Sequence, residues 1–346
     1  MKLIIQIPCL NEERTLPAAL ADLPREVPGF DVVEWLVVDD GSTDATARVA
    51  RAHGVDHLVR LTGHRGLAVA FQAGMDAALK LGADVIVNTD ADGQYRGADV
   101  ERLVAPILAG EADMVVGDRG VANNEHMSSR KRNLQRLGTW VVRAASNTDV
   151  TDATSGFRAY DRDAAIGLQV VSSFTYTLET IIQAGRSAMS VASVPIATNP
   201  ETRPSRLFPS MGAYVRRNAL SIFRVYAHYA PLRVFWGAAI LVGLLALVIW
   251  GRFAYFLLFT GDGGRGHVQS LILGAVLFNV ATVLAALGVI GDLIYAQRTI
   301  AQRTLERVRR IELAVGVPPS RLDDGASPEL DTGKPAGDVG REPAGR

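Results

Sequence analysis

Residues 85–95 read VIVNTDADGQY. An apolar run stops abruptly, and Asp90 and Asp92 follow it one residue apart before Gly93. An extended backbone sends alternate side chains to opposite faces, so the two aspartates point the same way. Like charges side by side repel unless something positive lies between them. A hard divalent cation such as Mg²⁺ or Mn²⁺ fits, since it takes oxygen ligands and shares them with phosphates. Taken alone, the run also reads as a solvated Asp–Gly turn. Its neighbours along the chain have to separate the two readings.

Short apolar runs recur on both sides of it, at Leu3–Ile7, Trp35–Val38, His57–Leu61, Asp84–Asn88 and Asp113–Val116. Helical patterns lie between them, at Glu12–Asp22, Asp44–His53, Gly66–Leu81 and Ala98–Ala109. This alternation predicts an α/β fold, a Rossmann-like, mostly parallel sheet with helices on both faces. Ligands of such sheets bind beyond the carboxyl ends of the strands. The polar punctuation falls there: Asn11-Glu12-Glu13 after the first strand, Asp39-Asp40-Gly41-Ser42 after the second, Asp90-Ala91-Asp92 after the fourth. Three acidic clusters at the ends of parallel strands converge on one rim, which favours a shared site over three separate turns.

The chain has 346 residues, with 36 basic and 36 acidic side chains. A zero net charge does not suit a nucleic-acid binder, and no nucleic acid is expected as a partner. The single cysteine, Cys9, excludes an intrachain disulfide and reads as a buried, inert thiol. The opening MKLIIQIPCLNEE is broken by Gln6 and Pro8 and turns acidic at once, so it reads as a strand, not an export signal.

Composition changes near Arg203. From Thr202 to Arg233 there are six arginines and no acid, interleaved with Leu207, Phe208, Tyr214, Phe223 and Tyr226. That pattern predicts amphipathic helices on an anionic membrane surface. Val234–Trp250 is uncharged, Arg252 interrupts, and FAYFLLFT follows. Val268–Gly291 is a second uncharged run, about 24 residues against the roughly 20 that cross a bilayer. A buried soluble helix pair is the alternative. Arginines flank both runs on the same side, at Arg216–Arg233 and at Arg298, Arg303, Arg307, Arg309 and Arg310. The positive-inside rule then puts the α/β part and both termini in the cytoplasm, on the inner membrane. The organisation expected is an α/β domain over 1–202, interfacial helices over 203–233, a two-helix membrane hairpin over 234–296, a basic helix over 297–316 and a disordered tail over 317–346. The hairpin also offers a face to copies of itself, so a homo-oligomer stays open.

IPCLNEE, LVVDDGSTDAT, GHRGLAVAFQAG, NTDADGQY and DATSGFRAYDR, in that order, resemble the inverting family-two glycosyltransferases of GT-A fold. Among these, the chain is most similar to dolichyl- and polyprenyl-phosphate hexosyltransferases, including those with a C-terminal membrane hairpin. The resemblance covers about 1–233. It implies a nucleotide-diphosphate sugar as donor, polyprenyl phosphate as acceptor, and Mg²⁺ or Mn²⁺ held by Asp90, Asp92 and Gln94. It places Pro8, Asn11, Glu12, Asp39, Asp40, Arg65, Asp90 and Ala91 at the nucleotide sugar, and Asp152 near the reacting centre. Asp40 also reads as a turn stabiliser, and Glu12 as a first-turn helix acid. Gly63-His64-Arg65-Gly66 opens a helix whose N–H groups suit an anion, although His64 and Arg65 depart from the Asn-x-Gly usual there. Arg130, with Lys131 and Arg132, and Arg203 and Arg206 are the candidates for the acceptor phosphate, which guanidinium forks bind bidentately. Arg158 reads as structural, pairing with an acid below the site, and Glu179 is similarly ambiguous.

A lipid phosphate is already an oxyanion and needs little help from a base. The expected reaction is a single displacement at the anomeric carbon with inversion, Asp92, Asp152 and Arg130 lying closest to the chemistry and Asp152 orienting the sugar. Two alternatives stand beside it. One is the same fold acting on a hydroxyl of a lipid-linked glycan or diacylglycerol, for which a base is essential. The other is a non-catalytic, membrane-tethered nucleotide-sugar binder.

Overall fold

The computed structural model describes residues 1–120, 139–140, 142–143, 146, 148–170, 176–199, 230–259 and 268–323. Seven strands form one sheet: β1 (Lys2–Cys9), β2 (Val32–Asp39), β3 (His57–Arg60), β4 (Val85–Asn88), β5 (Met114–Asp118), β6 (Arg158–Asp161) and β7 (Val191–Pro195). Their order across the sheet is β3-β2-β1-β4-β6-β5-β7. All pairings are parallel except those of β6, which runs antiparallel to both β4 and β5. β1, β2, β4 and β5 therefore share one carboxyl-end rim.

Alternate strand residues feed two cores. Ile4, Leu36, Val38, Ile86 and Val116 point to one face, with Phe71 and Met75 of α3 (Leu67–Lys80), Ile166 of α5 (Arg162–Gly167) and Ile181 of α6 (Thr177–Arg186). Leu3, Ile5, Ile7, Val37, Val85 and Val87 point to the other, with Leu16 and Leu20 of α1 (Leu16–Asp22) and Leu103 and Val104 of α4 (Asp99–Leu108). α2 (Thr46–Ala52) joins β2 to β3. Both faces are covered, which is why these strands read as continuous apolar runs. The five strands and four helices expected from the sequence lie where they were expected, within a few residues.

Two long helices follow, α7 (Pro231–Phe259) and α8 (Val268–Val315). Both are long and apolar enough to cross a membrane, and their apolar windows are only 11% and 17% buried. A core helix of a soluble protein would be mostly buried, so the buried-pair alternative does not describe them. They pack through small residues on α8: Trp250 lies against Gly274 and Trp236 against Gly288, seven residues per step through Ala281. The close approach suits helices in lipid, where packing has to do what hydrophobic burial does in water.

The basic segment expected as a separate helix continues the second apolar run without a break. α8 has 48 residues, roughly 72 Å at 1.5 Å per residue. Its second half docks on the α/β body. Arg298 pairs with the buried Glu179. Arg309 donates to the carbonyls of Ile166 (3.1 Å) and Leu168 (2.7 Å) at the end of α5, and to Gln169 Oε1 (2.9 Å). Arg310 reaches Asp163 at 2.9 Å, and Lys80 of α3 reaches Glu312 at 3.6 Å. Arginines that the sequence offered as an interfacial flank thus also lock the helix to the body. Of the segment expected as a tail, residues 317–323 are described, and Arg321–Asp323 lie along β3, where Leu322 pairs with Val59. Leu322 packs on the core, which gives this stretch the apolar anchor that its composition conceals. The interfacial segment 203–229 and the tail beyond 323 lie outside the described residues.

Candidate active site

The loops after β1 and β2 are zipped together at the rim. Asn11 adopts a left-handed conformation (φ 54°), and its Oδ1 accepts from the Thr43 N–H at 2.9 Å. Its own N–H donates to Ser42 Oγ at 2.9 Å. The buried Glu12 donates its N–H to Thr46 Oγ1 at 2.8 Å and accepts from Thr15 Oγ1. Pro8, one residue before Cys9, is buried beside Val38. Cys9 is buried, and loss of solvation pushes its thiol well above the ordinary range, as an inert thiol requires.

Asp39 and Asp40 are both buried but do different work. Asp40 Oδ1 accepts from the Arg65 N–H at 2.7 Å. Its Oδ2 accepts from Gly66 N–H at 2.9 Å and lies 2.8 Å from His64 Nδ1. Asp40 therefore holds the loop that opens α3, the turn-stabilising reading. The same bonds fix the backbone of Arg65, whose side chain is exposed. Asp39 spends only Oδ1, on the Ser42 N–H at 2.8 Å. Its Oδ2 is buried without a hydrogen bond, and Arg60 Nε stands 3.4 Å away. Gly41 lets the two loops touch: a Cβ there would meet Gly63 C at 2.4 Å and His64 N at 2.7 Å.

Asp90 and Asp92 follow β4, with the buried Ala91 between them. Asp92 Oδ1 accepts from the Gln94 N–H at 3.0 Å. Chain that follows β7 braces this loop: Asn199 N–H donates to Gln94 O at 2.8 Å, and Asn199 Nδ2 to Gly93 O at 2.9 Å. Asp90 is pushed up to about 7, first by loss of solvation and then by the charge of Asp92, against the pull of Arg119 and Arg158. The pair is thus short of positive charge at neutral pH. Among the described residues there is no group of three or more His, Cys, Asp and Glu able to enclose a metal. Two carboxylates instead supply part of a coordination shell, of the kind that Mg²⁺ completes with phosphate oxygens and water. A divalent cation fits this donor set.

Beneath Asp90 runs a buried polar chain. Gln6 Nε2 donates to Asn88 Oδ1 at 2.8 Å, and Asn88 Nδ2 donates to Gly156 O and Tyr176 Oη, both at 2.8 Å. The Gly156 N–H donates to Tyr95 Oη at 3.0 Å. Tyr95 stacks on Phe157, and burial pushes its phenol up to about 12. Gly156 is therefore held from both sides, pressed against the Asp90 carboxylate.

Asp152 stands across the rim in the grip of Arg119. Arg119 Nε donates to Oδ2 at 2.7 Å and Nη2 to Oδ1 at 3.1 Å. Burial would raise the Asp152 carboxyl, but the Arg119 fork and the hydrogen bonds from Thr154 together hold it below the usual range. A carboxylate held low accepts protons poorly, which matches an orienting role better than a general base. Arg119 was missed in the sequence. The signal was there: it follows the carboxyl end of β5, on the same rim as the acidic clusters.

Arg158 is structural, as expected, but its partners are not acids. It is fully buried and donates to the carbonyls of Ser155, Thr177 and Ala153 and to Thr180 Oγ1, all within 2.9 Å. Carbonyl dipoles satisfy the guanidinium where the sequence suggested a carboxylate. Glu179 belongs to the α8 dock. Arg130, Lys131, Arg132, Arg203 and Arg206 lie outside the described residues.

An open sheet of this kind binds its ligands beyond the carboxyl ends of its parallel strands, where the three acidic clusters gather. The glycosyl transferase family 2 profile matches residues 4–168. The undecaprenyl-phosphate mannosyltransferase of Micrococcus luteus is 31% identical over 206 residues, covering 57% of this chain and 83% of that protein. The polyprenol monophosphomannose synthase of Mycolicibacterium smegmatis is 30% identical over 204 residues, covering 56% and 76%. The chain belongs to glycosyl transferase family 2, and its mixed sheet carrying the Asp90-Ala91-Asp92 loop after β4 is of the GT-A type. Among solved structures, it is similar to glucosyl-3-phosphoglycerate synthase from Mycobacterium tuberculosis, crystallised with Mn²⁺, uridine diphosphate and phosphoglyceric acid (TM-score 0.49, 22% identity, 64% of this chain and 78% of that one).

Proposed function

We propose that this protein transfers a hexose from a UDP- or GDP-linked donor to polyprenyl phosphate, with inversion, at the cytoplasmic face of the inner membrane. The observation that carries the reading is the Asp90–Asp92 pair, whose mutual repulsion calls for a cation at the mouth of the nucleotide-side loops. The names of the two bacterial relatives supply the acceptor class. The two apolar helices, locked to the α/β body through Arg298, Arg309 and Arg310, supply access to a lipid.

Asp90 and Asp92, with Gln94, would hold Mg²⁺ or Mn²⁺, which supplies charge neutralisation on the departing nucleotide diphosphate. Asp39 receives the base or ribose on Oδ2, which makes no hydrogen bond and has Arg60 beside it, while Pro8, Asn11 and Glu12 shape that side of the cleft. Asp40 fixes the loop behind it and the backbone of Arg65. Asp152, steadied by Arg119, orients the sugar. Arg130, Arg203 and Arg206 take the acceptor phosphate. The lipid phosphate attacks as an oxyanion, so the low proton affinity of Asp152 is no handicap. A hydroxyl acceptor would need a base, and this favours the phosphate over the glycan or diacylglycerol alternative.

The test is direct. Purified protein with Mn²⁺ is offered radiolabelled UDP- and GDP-sugars together with polyprenyl phosphate, a polyprenol lacking the phosphate, or diacylglycerol. Label should enter the lipid fraction only with the phosphate. Labelling of an alcohol acceptor favours the hydroxyl alternative, and no turnover with any donor favours the binder.

The raised Asp90 also predicts a proton count. Below about pH 7 Asp90 holds a proton that a metal must displace, and well above it the site is already ionised. Calorimetry of Mn²⁺ and nucleotide binding in buffers of different ionisation enthalpy should show proton release approaching one at pH 6 and falling toward zero by pH 8.5. Equal release at both pH values would mean that Asp90 is already ionised at pH 6, against the raised value.

A further inference from the structure

The chain beyond α8 reaches the nucleotide side of the sheet. After Val315 it turns at Gly316 and lays Arg321–Asp323 antiparallel on β3, the strand at the sheet's edge. The Arg60 N–H donates to Arg321 O at 3.2 Å, and the Asp323 N–H to Leu58 O at 2.8 Å. Covering an exposed edge would be reason enough for such a segment. The Asp323 side chain shows that more is at stake.

That carboxylate is 7% exposed and lies between two arginines, pairing with Arg51 of α2 and standing 3.8 Å from Arg60 Nη1. Arg60 is the register partner of Asp39 across β2 and β3, so both stand at the same height of the sheet. Its Nε is 3.4 Å from Asp39 Oδ2, the buried oxygen that has no hydrogen bond. The Arg60 side chain is 49% exposed at the rim. One guanidinium thus bridges a carboxylate of the C-terminal segment and the carboxylate that the proposed function assigns to the nucleotide. An arginine fork held from both ends loses less rotamer freedom when a ligand arrives than one held from neither.

We propose that Arg60 is a positioning residue of the donor-nucleotide subsite, and that Asp323, on the segment returning from the membrane helix, sets it against Asp39. This rests on the proposed function, since it takes Asp39 as a nucleotide ligand. The C-terminal segment is then part of the donor site. The membrane helix, its dock on the body and the nucleotide edge form one continuous stretch of chain.

The test measures binding of UDP and GDP, each with Mn²⁺, to the full-length protein in detergent by calorimetry, alongside donor KM and kcat. Asp323→Ala should weaken the nucleotide that the wild type prefers about fivefold to tenfold. Donor KM should rise to match, while kcat and acceptor KM stay within about twofold. Asp323→Glu, which keeps the charge, should restore most of the affinity. Arg60→Ala should weaken binding by at least as much, and adding Asp323→Ala to it should cost little more, because the two act in series. Three results overturn the assignment. One is a melting temperature that falls while nucleotide affinity holds, leaving the segment as an edge cover only. Another is full additivity of the two substitutions. The third is a wild type that binds neither nucleotide, which removes the proposed function as well; the first two leave that function standing.

Discussion

Asp92→Asn should lower sugar transfer about a thousandfold, on the order of 4 kcal/mol of transition-state stabilisation, while the protein melts no lower than wild type. The two halves of this expectation have one cause. Asp90 and Asp92 are like charges whose proximity, after loss of solvation, helps push Asp90 up to about 7. A carboxyl whose folded pKa lies above its unfolded value favours the unfolded state once pH rises past the unfolded value, because the native fold resists ionisation. Removing the neighbouring charge relieves that opposition near neutral pH. The same removal deprives a divalent cation of half its protein carboxylates. A substitution that merely damaged the fold would lower activity and melting temperature together. Activity lost at unchanged or higher stability would mark the pair as functional groups held against their own repulsion.

Gly156→Ala should be the second most damaging change, at roughly a hundredfold in kcat. A Cβ there would stand 3.0 Å from Asp90 Oδ2, 3.1 Å from Oδ1 and 3.0 Å from Tyr176 Oη. Something must give, and the glycine cannot move easily: its N–H is tied to Tyr95 and its carbonyl to Asn88. The displaced group is the Asp90 carboxylate or the tyrosine behind it. Overpacking of this kind costs about 1–3 kcal/mol of stability. A shift of about 1 Å in a positioned group costs roughly a hundredfold in rate. The measurement is kcat with saturating metal, set beside the thermal melt. Near wild-type kcat would show that the Asp90 carboxylate tolerates displacement, and the reading of Gly156 as its backstop would fail.

Most of the sheet is legible in the sequence because β1, β2, β4 and β5 are buried on both faces and so appear as unbroken apolar runs. β6 is not, although its residues were singled out. Arg-Ala-Tyr-Asp carries no run and no alternation long enough to signal a strand, and its arginine is buried only because backbone carbonyls surround it. The acids that gather at the rim could be named from strand ends alone. What each acid does could not, since Asp39 and Asp40 are adjacent and differ only in which partners the fold brings. Asp40 finds three donors across the loop from Gly63, whereas Asp39 keeps one oxygen without a hydrogen bond. The second apolar helix was visible and its unbroken continuation was not, because a change from apolar to basic composition looks the same whether or not the helix ends. The return of Leu322 to β3 depends on a single apolar side chain in a stretch otherwise rich in proline and glycine.

The proposed reaction requires Asp90 and Asp92 to hold a divalent ion together with the nucleotide diphosphate. Electron paramagnetic resonance of Mn²⁺ titrated into the full-length protein tests it most directly, with and without the nucleotide that the enzyme uses. Wild type should bind one Mn²⁺ per chain, at least tenfold more tightly once nucleotide is present, and Asp90→Asn/Asp92→Asn should bind none in the same range. A doubly substituted protein that still takes up one nucleotide-dependent Mn²⁺ per chain would contradict the claim.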